Sequence, residues 1–213
     1  RIPLRLDDIL ASIAVLHGPG AWAKGVELAF AVDPRLPRVL RGDPVRLEQV
    51  LLNLVGNAVK FTDRGEIVLS IALLDLGDGQ ARLAFEVRDT GIGIAPEVQA
   101  GIFEVFSQAD SSTVRKYGGA GLGLSIARRL VELAGGVLRL DSVPGAGATF
   151  HFDLSFPVLE AAPEAPARGD GGRHVLVADD NASARAALAA ACASFGWRTD
   201  TAPDGAAALE ALR

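Results

Sequence analysis

The chain has 213 residues, 49% of them hydrophobic, and a formal charge of -5 at pH 7 with no dense Lys/Arg cluster, which excludes the broad phosphate-backbone footprint of a nucleic-acid-binding protein. No apolar run reaches the roughly 18 residues that span a bilayer and no basic-plus-apolar signal segment opens the chain, so this piece is expected in the cytoplasm without membrane contact, whatever anchor the full-length protein carries. A single cysteine, Cys192, excludes an internal disulfide and a cysteine-based zinc site.

Leu6, Ile9, Leu10 and Ile13 recur at helical spacing until Gly18-Pro-Gly20 breaks the pattern. This predicts a short lead-in helix and linker over 1–20. Val26-Glu-Leu-Ala-Phe-Ala-Val32 alternates as a strand does, and Val39-Leu-Arg-Gly42 reads as a second short one. Asp43 as N-cap with Pro44 at the first helical position starts a long amphipathic helix that runs to Phe61 and stops at Thr62-Asp-Arg-Gly65. Antiparallel strands over 66–74 and 82–88 are joined across Gly77-Asp-Gly79. Helices over 96–106 and 122–133 flank a polar stretch, and strands follow over 137–141 and 148–156.

The expected fold of 21–157 is therefore a two-layer α/β sandwich, a mixed sheet with helices on one face. Residues 158–173 carry Pro163 and Pro166 among Ala, Glu and Gly, too little apolar surface to fold, and read as a linker. His174-Val-Leu-Val-Ala-Asp-Asp-Asn181 then gives an apolar strand ending in paired acids. An alanine-rich helix holding Cys192, a short strand over 198–201 and a helix after Gly205 complete a second unit over 174–213.

Four motifs carry the chemistry: Asn53-Leu-Val-Gly-Asn57-Ala-Val-Lys60-Phe61, Asp89-Thr-Gly-Ile-Gly93, Phe103-Glu-Val-Phe106 and Gly119-Ala-Gly-Leu-Gly123. On the long helix, Val50, Leu51, Leu54, Val55 and Ala58 share one side while Arg46, Asn53, Asn57 and Lys60 line another, which separates a core face from a chemical face. Asn57 offers an amide oxygen suited to Mg²⁺, a cation that keeps waters and phosphate oxygens around it, and Lys60 offers positive charge to phosphates. Asp89 ends an alternating strand, where its carboxylate can accept a hydrogen bond from an exocyclic amine, and Gly91 and Gly93 permit positive φ and close backbone approach.

Gly119, Gly121, Leu122 and Gly123 lead into a helix whose first amides suit phosphate. The spacing is not G-x-G-x-x-G, and no G-x-x-x-x-G-K-[ST] occurs, so neither a dinucleotide site nor a P-loop is supported. The polar stretch 107–118, with Arg115 and Lys116, has the length and composition of a lid over nucleotide, its base anchored by Phe103 and Phe106.

In this order the motifs resemble the N, G1, F and G2 boxes of the ATP-binding catalytic domain of sensor histidine kinases, of the Bergerat type. The resemblance covers nearly all of residues 1–157. It implies ATP with Mg²⁺ as ligand, Asp89 recognising the adenine amino group with Thr149 beside it, and Phe106, Arg115, Lys116, Gly119, Gly121, Leu122 and Gly123 around the nucleotide. Related hydrolytic ATPases of the gyrase, Hsp90 and MutL type place a glutamate base where Asn53 stands. An amide cannot take that proton, so Asn53 and Lys60 are the expected catalytic residues of phosphoryl transfer.

Ala120 departs from the threonine common in related kinases. The acceptor is expected to be a histidine on a dimerisation domain absent from this chain, the full-length protein being a homodimer, because His17, His151 and His174 suit structural or surface roles. The second unit resembles the opening of a flavodoxin-like, doubly wound receiver domain, truncated before its phosphoacceptor, with Asp179 and Asp180 as the pair that holds Mg²⁺. The whole then reads as a hybrid sensor histidine kinase fragment. A nucleotide-responsive module without transfer activity and a gyrase-like hydrolase stay as alternatives.

Overall fold

The computed structural model describes residues 2–104, 122–162 and 173–212. Its elements, in chain order, are β1 (Ile2–Leu4), α1 (Leu6–Lys24), β2 (Val26–Val32), β3 (Val39–Gly42), α2 (Pro44–Phe61), β4 (Gly65–Gly77), β5 (Gln80–Asp89), α3 (Pro96–Gln99), α4 (Gly123–Leu133), β6 (Arg139–Ser142) and β7 (Ala148–Glu160). A separate unit adds β8 (His174–Ala178), α5 (Ala182–Ser194), β9 (Arg198–Ala202) and α6 (Gly205–Ala211).

The strands of the first unit form one seven-stranded sheet in the order β1-β3-β7-β5-β4-β2, with β6 also paired to β7. Only β2 and β4 run parallel within it, so the sheet is mixed. Strict alternation divides its faces. Ala81, Leu83, Phe85 and Val87 of β5 and Phe150, Phe152, Leu154 and Phe156 of β7 are buried in one cluster with Leu47, Leu51, Leu54 and Val55 of α2 and Ala127 and Val131 of α4. Phe85 and Phe152 stack at 5.0 Å with 9° between planes, and Phe156 meets Phe85 edge-on. The opposite face is polar and carries the Arg82–Asp153 and Arg88–Glu66 pairs. The expected two-layer sandwich is the observed one.

Local chemistry sets the ends of α2 as the sequence predicts. The Asp43 side chain accepts a hydrogen bond from the Arg46 amide and Pro44 occupies the first turn. The β4–β5 strands are longer than expected because the two-residue loop Asp78-Gly79, with φ of 50° and 71°, closes a tight hairpin that pairs Gly77 with Gln80.

Four expectations need correction. The lead-in helix does not stop at Gly18: α1 continues through Pro19 to a left-handed C-cap at Gly25. Its buried residues Leu6, Ile9, Ile13 and Ala21 belong to the main core, so α1 is part of this domain. Small residues at the crossing let α1 lie close to α2, a Cβ on Gly56 meeting the His17 ring at 3.1 Å. Lys24 then donates to the Val59 and Thr62 carbonyls and closes the C-terminus of α2. The helix expected over 96–106 is four residues long, Gly101 weakening it, and turns follow to Glu104.

The third and fourth corrections concern strands. The strand expected over 137–141 is Arg139–Ser142. The expected linker begins too early, since β7 runs to Glu160 and Val158 pairs with Leu40. Pro157 is tolerated there because its missing N–H falls at the last rung against β5, opposite Gln80. Residues 163–172 of the linker lie outside the described residues.

The C-terminal unit is a two-stranded parallel sheet of β8 and β9 with α5 and α6, and α5 packs against β2. Cys192 is half-buried within α5.

Candidate nucleotide site

The site gathers where the C-terminal half of α2, the end of β5 and the start of α4 meet. Asn53, Asn57 and Lys60 fall on one side of α2, each half-buried. Asn53 faces α4, a Cβ on Gly123 falling 3.5 Å from its Oδ1. The Nδ2 of Asn53 is buried and finds no hydrogen-bond partner among the described residues. A buried amide donor left without a partner costs about 1–3 kcal/mol. The Lys60 ammonium lies 4.8 Å from the centroid of the Phe61 ring.

Among the described residues no side chain caps the N-terminus of α4, and Leu122 precedes it in helical conformation. Its first amides and the positive end of the helix therefore face the Asn53 side, the pattern that attracts phosphate oxygens. Leu122 and Gly123 are thus brought to Asn53, whereas Phe106, Arg115, Lys116, Gly119 and Gly121 lie outside the described residues.

Asp89 is the last residue of β5 and only 8% exposed. Burial raises its pKa above the usual carboxylate range, against hydrogen bonds from the Gly91 and Ala148 amides and the charge of Arg88. The following turn is tied on two sides. The Ile92 amide donates to the Phe61 carbonyl at the end of α2, and the Gly145 amide donates to the Ile92 carbonyl. Asp89 and the chemical face of α2 therefore share one frame.

The two glycines of this turn work differently from each other. Gly93 has φ of 66°, whereas Gly91 is needed for space, a Cβ there meeting the Phe61 carbonyl oxygen at 2.4 Å. Gly147 was missed by the sequence reading as a site residue. It has φ of 91° and would place a Cβ 1.9 Å from the Asp89 carbonyl oxygen. The Gly145-Ala-Gly147 spacing was its signal.

Thr149 is a correction. The register pairs Asp89 with Ala148 and Arg88 with Thr149, so alternation turns the Thr149 side chain to the polar outer face, away from the Asp89 side. A methyl group occupies the position beside Asp89 where a hydroxyl was expected.

Phe103 packs edge-on against Phe150 at 6.2 Å, with the Arg128 guanidinium 5.9 Å from its ring. It anchors the segment before residue 105, as its motif implies. None of the three histidines is placed as an acceptor. His17 lies inside α1, and burial against α2 lowers its pKa despite a hydrogen bond to the Leu52 carbonyl. His151 pairs with Asp141, and His174 with Asp200.

Asp179 and Asp180 stand at the end of β8, in the other unit. Asp179 accepts from the Asn181 amide and its carbonyl accepts from Arg185, while Asn181 caps α5. Among the described residues no group of three His, Cys, Asp or Glu side chains gathers anywhere. Asp204 caps α6 and is likewise structural. Among the described residues no helix is long and apolar enough to cross a membrane.

A cavity of about 300 Å³ lies at the far end of the sheet, between Arg41, Arg46, Leu130 and Phe156. It takes no part in this site, because Phe156 sits at the opposite end of β7 from Ala148.

Comparison with known proteins gives the same reading. The model of the histidine kinase-, DNA gyrase B- and HSP90-like ATPase family matches residues 42–158. The sensor histidine kinase GacS of Pseudomonas protegens is 41% identical over 88% of this chain and 20% of its own length. The autoinducer 2 sensor kinase/phosphatase LuxQ of Vibrio cholerae is 35% identical over 98% of this chain and 25% of its own. The chain thus spans about a fifth to a quarter of these relatives.

Among solved structures, full-length ShkA in complex with AMPPNP aligns with a TM-score of 0.81 at 40% identity, over 98% of this chain and 42% of that one. The catalytic domain of the histidine kinase ThkA shares the fold at a TM-score of 0.55. The chain belongs to the histidine kinase-, DNA gyrase B- and HSP90-like ATPase family, and its catalytic domain is of the kind found in hybrid sensor histidine kinases.

Proposed function

We propose that this chain binds ATP with Mg²⁺ and transfers the γ-phosphoryl group to a histidine on a dimerisation domain outside it, for relay to an aspartate of a receiver. The observation that carries this is Asn53: an amide whose buried N–H has no partner among the described residues stands beside the start of α4, where hydrolytic relatives need a base. An amide can donate to a phosphate oxygen and position it. It cannot take a proton from water.

In this reading Asp89 accepts a hydrogen bond from the adenine amino group, and the tied turn at Gly91 and Gly93 lets the backbone approach the base. The amides at the start of α4 and the Lys60 ammonium hold phosphate oxygens, and Arg115 and Lys116 are assigned to the γ-phosphate. Asn57 suits a hard cation completed by waters and phosphate oxygens, because its amide oxygen is a neutral oxygen ligand. Mg²⁺ would neutralise charge on the phosphates. In the transfer the bond from the γ-phosphorus to the β,γ-bridging oxygen breaks, and a bond to an imidazole nitrogen of the acceptor forms.

The C-terminal unit is read as the start of a receiver, with Asp179 and Asp180 as part of its cation site. We assign α1 through β7 to the catalytic unit, a reading supported by the α1 residues in the main core and by the extent of β7 to Glu160. In the full-length protein we expect a homodimer. Binding of a fluorescent ATP analogue with Mg²⁺ tests the site. Asn57→Ala and Asp89→Ala are each expected to weaken it at least tenfold, the first by removing a cation ligand and the second by removing a hydrogen bond to a charged group worth about 1.5–3 kcal/mol. Unchanged binding in both would overturn the assignment.

A further inference from the structure

The polar face of the sheet holds a junction that the nucleotide reading does not use. The Glu66 carboxylate of β4 accepts hydrogen bonds from Arg88 of β5, from Asn181 Nδ2 at 2.9 Å and from Ser183 Oγ at 3.0 Å. Arg88 also donates to Ser183 Oγ at 3.3 Å, closing the cluster. Glu66 is 17% exposed there. Burial pushes its carboxyl up, but the hydrogen bonds from Asn181, Arg88 and Ser183 outweigh it and leave the pKa below the ordinary value. Two of these partners come from the N-cap and first turn of α5, more than a hundred residues away in sequence, and α5 itself packs on β2.

Each end of the junction adjoins a site. Asn181 holds Asp179 through its own amide and caps α5 with its side-chain oxygen while donating to Glu66. On the other side, the Glu66 amide donates to Thr90 Oγ1 and the Glu66 carbonyl accepts from the Thr90 amide. Thr90 follows Asp89 directly, and Arg88 precedes it. The residues that grip the C-terminal unit therefore flank the carboxylate assigned to adenine.

We propose that the Glu66–Arg88 face is the docking surface for the C-terminal unit, and that docking is linked to nucleotide occupancy through the strand ends around Asp89. The linkage rests on the nucleotide reading of Asp89. Docking restrains Glu66 and Arg88, which narrows the positions open to Asp89 and Thr90, so the docked chain binds nucleotide more tightly. Linkage is reciprocal, and nucleotide must then tighten docking by the same factor.

Ser183→Glu in the full chain tests this. The change sets a carboxylate against Glu66, while an acid in the first turn favours α5 itself, so the variant breaks the junction without unfolding the helix. Asn181→Ala is unsuitable because it removes the cap. The readouts are amide hydrogen exchange at 181–186 and 86–92 and affinity for a fluorescent ATP analogue with Mg²⁺. In the parent chain, nucleotide is expected to slow exchange at 181–186. In Ser183→Glu, exchange in both segments rises and affinity falls about fivefold, the lower end of ordinary coupling. Unchanged exchange at 181–186 in the variant overturns the docking surface, and raised exchange with unchanged affinity overturns the linkage. A parent chain that binds no nucleotide overturns the function proposed for the site instead, and Ser183→Glu exchange still decides the docking.

Discussion

At the scale of single residues, Asp89 holds a carboxylate where burial opposes its charge. The folded chain binds this proton more tightly than the unfolded chain does. Its effect favours folding below the ordinary carboxylate range and is lost as pH rises through the raised pKa. Asp89→Asn keeps an acceptor for the Gly91 amide and removes the ionisation. The variant is expected to melt no lower than the parent at pH 7, while its ATP affinity drops at least tenfold; a lower melting temperature with intact affinity would contradict the account.

The sequence already marked Asp89, Gly93 and Asn53 by type and spacing, because strand ends, positive φ and helical phase are local properties. It did not separate Ala148 from Thr149, since a one-residue choice of register reverses every side chain and is settled only by β7 pairing with β5. Gly147 went unassigned for a related reason. Its role is a clash with a carbonyl on a neighbouring strand, and Gly147→Ala is expected to cost more than about 1 kcal/mol in urea denaturation.

At the scale of elements, α2 was legible from Asp43-Pro44 to Phe61 because its cap and its two faces are both written in the chain. Replacing Asp43 by Ala removes the acceptor for the Arg46 amide and is expected to cost about 1 kcal/mol in thermal or urea unfolding, with nucleotide affinity little changed. The extent of α1 was not legible. Gly18-Pro-Gly20 has the composition of a stop, yet packing of Ile13 and Ala21 in the core and the close crossing at Gly56 outweigh the local penalty.

Asp33, just beyond β2, is held mainly by a local partner. The Arg35 side chain first, then the Arg35 and Leu73 amides, hold its carboxyl down to about 2 against its partial burial. That depressed pKa contributes stability above the ordinary carboxylate range, lost as pH falls toward about 2. Asp33→Asn should therefore lower the melting temperature at pH 7 and make little difference near pH 2.

At the scale of the whole molecule, motif order revealed the architecture. Asn, Asp-x-Gly and Gly-rich boxes in this sequence demand one helix, one strand end and one helix start in a fixed spatial relation. The sheet delivers that relation by tying residues 90–93 to Phe61 and to the β6–β7 turn. The contact of Asn181 and Ser183 with Glu66 could not be read from sequence, since a junction between two units leaves no periodic trace.

The central claim is that this catalytic unit transfers phosphate to a histidine and does not spend ATP on water. It is tested most directly by mixing the chain with [γ-³²P]ATP, Mg²⁺ and a histidine-bearing dimerisation domain from a hybrid kinase of this family, then following acid-labile label on that domain beside free phosphate. The account predicts label on the histidine and little phosphate release, with Asn53→Ala slowing label formation about a hundredfold. Steady phosphate release that is independent of the acceptor and leaves its histidine unlabelled would contradict it.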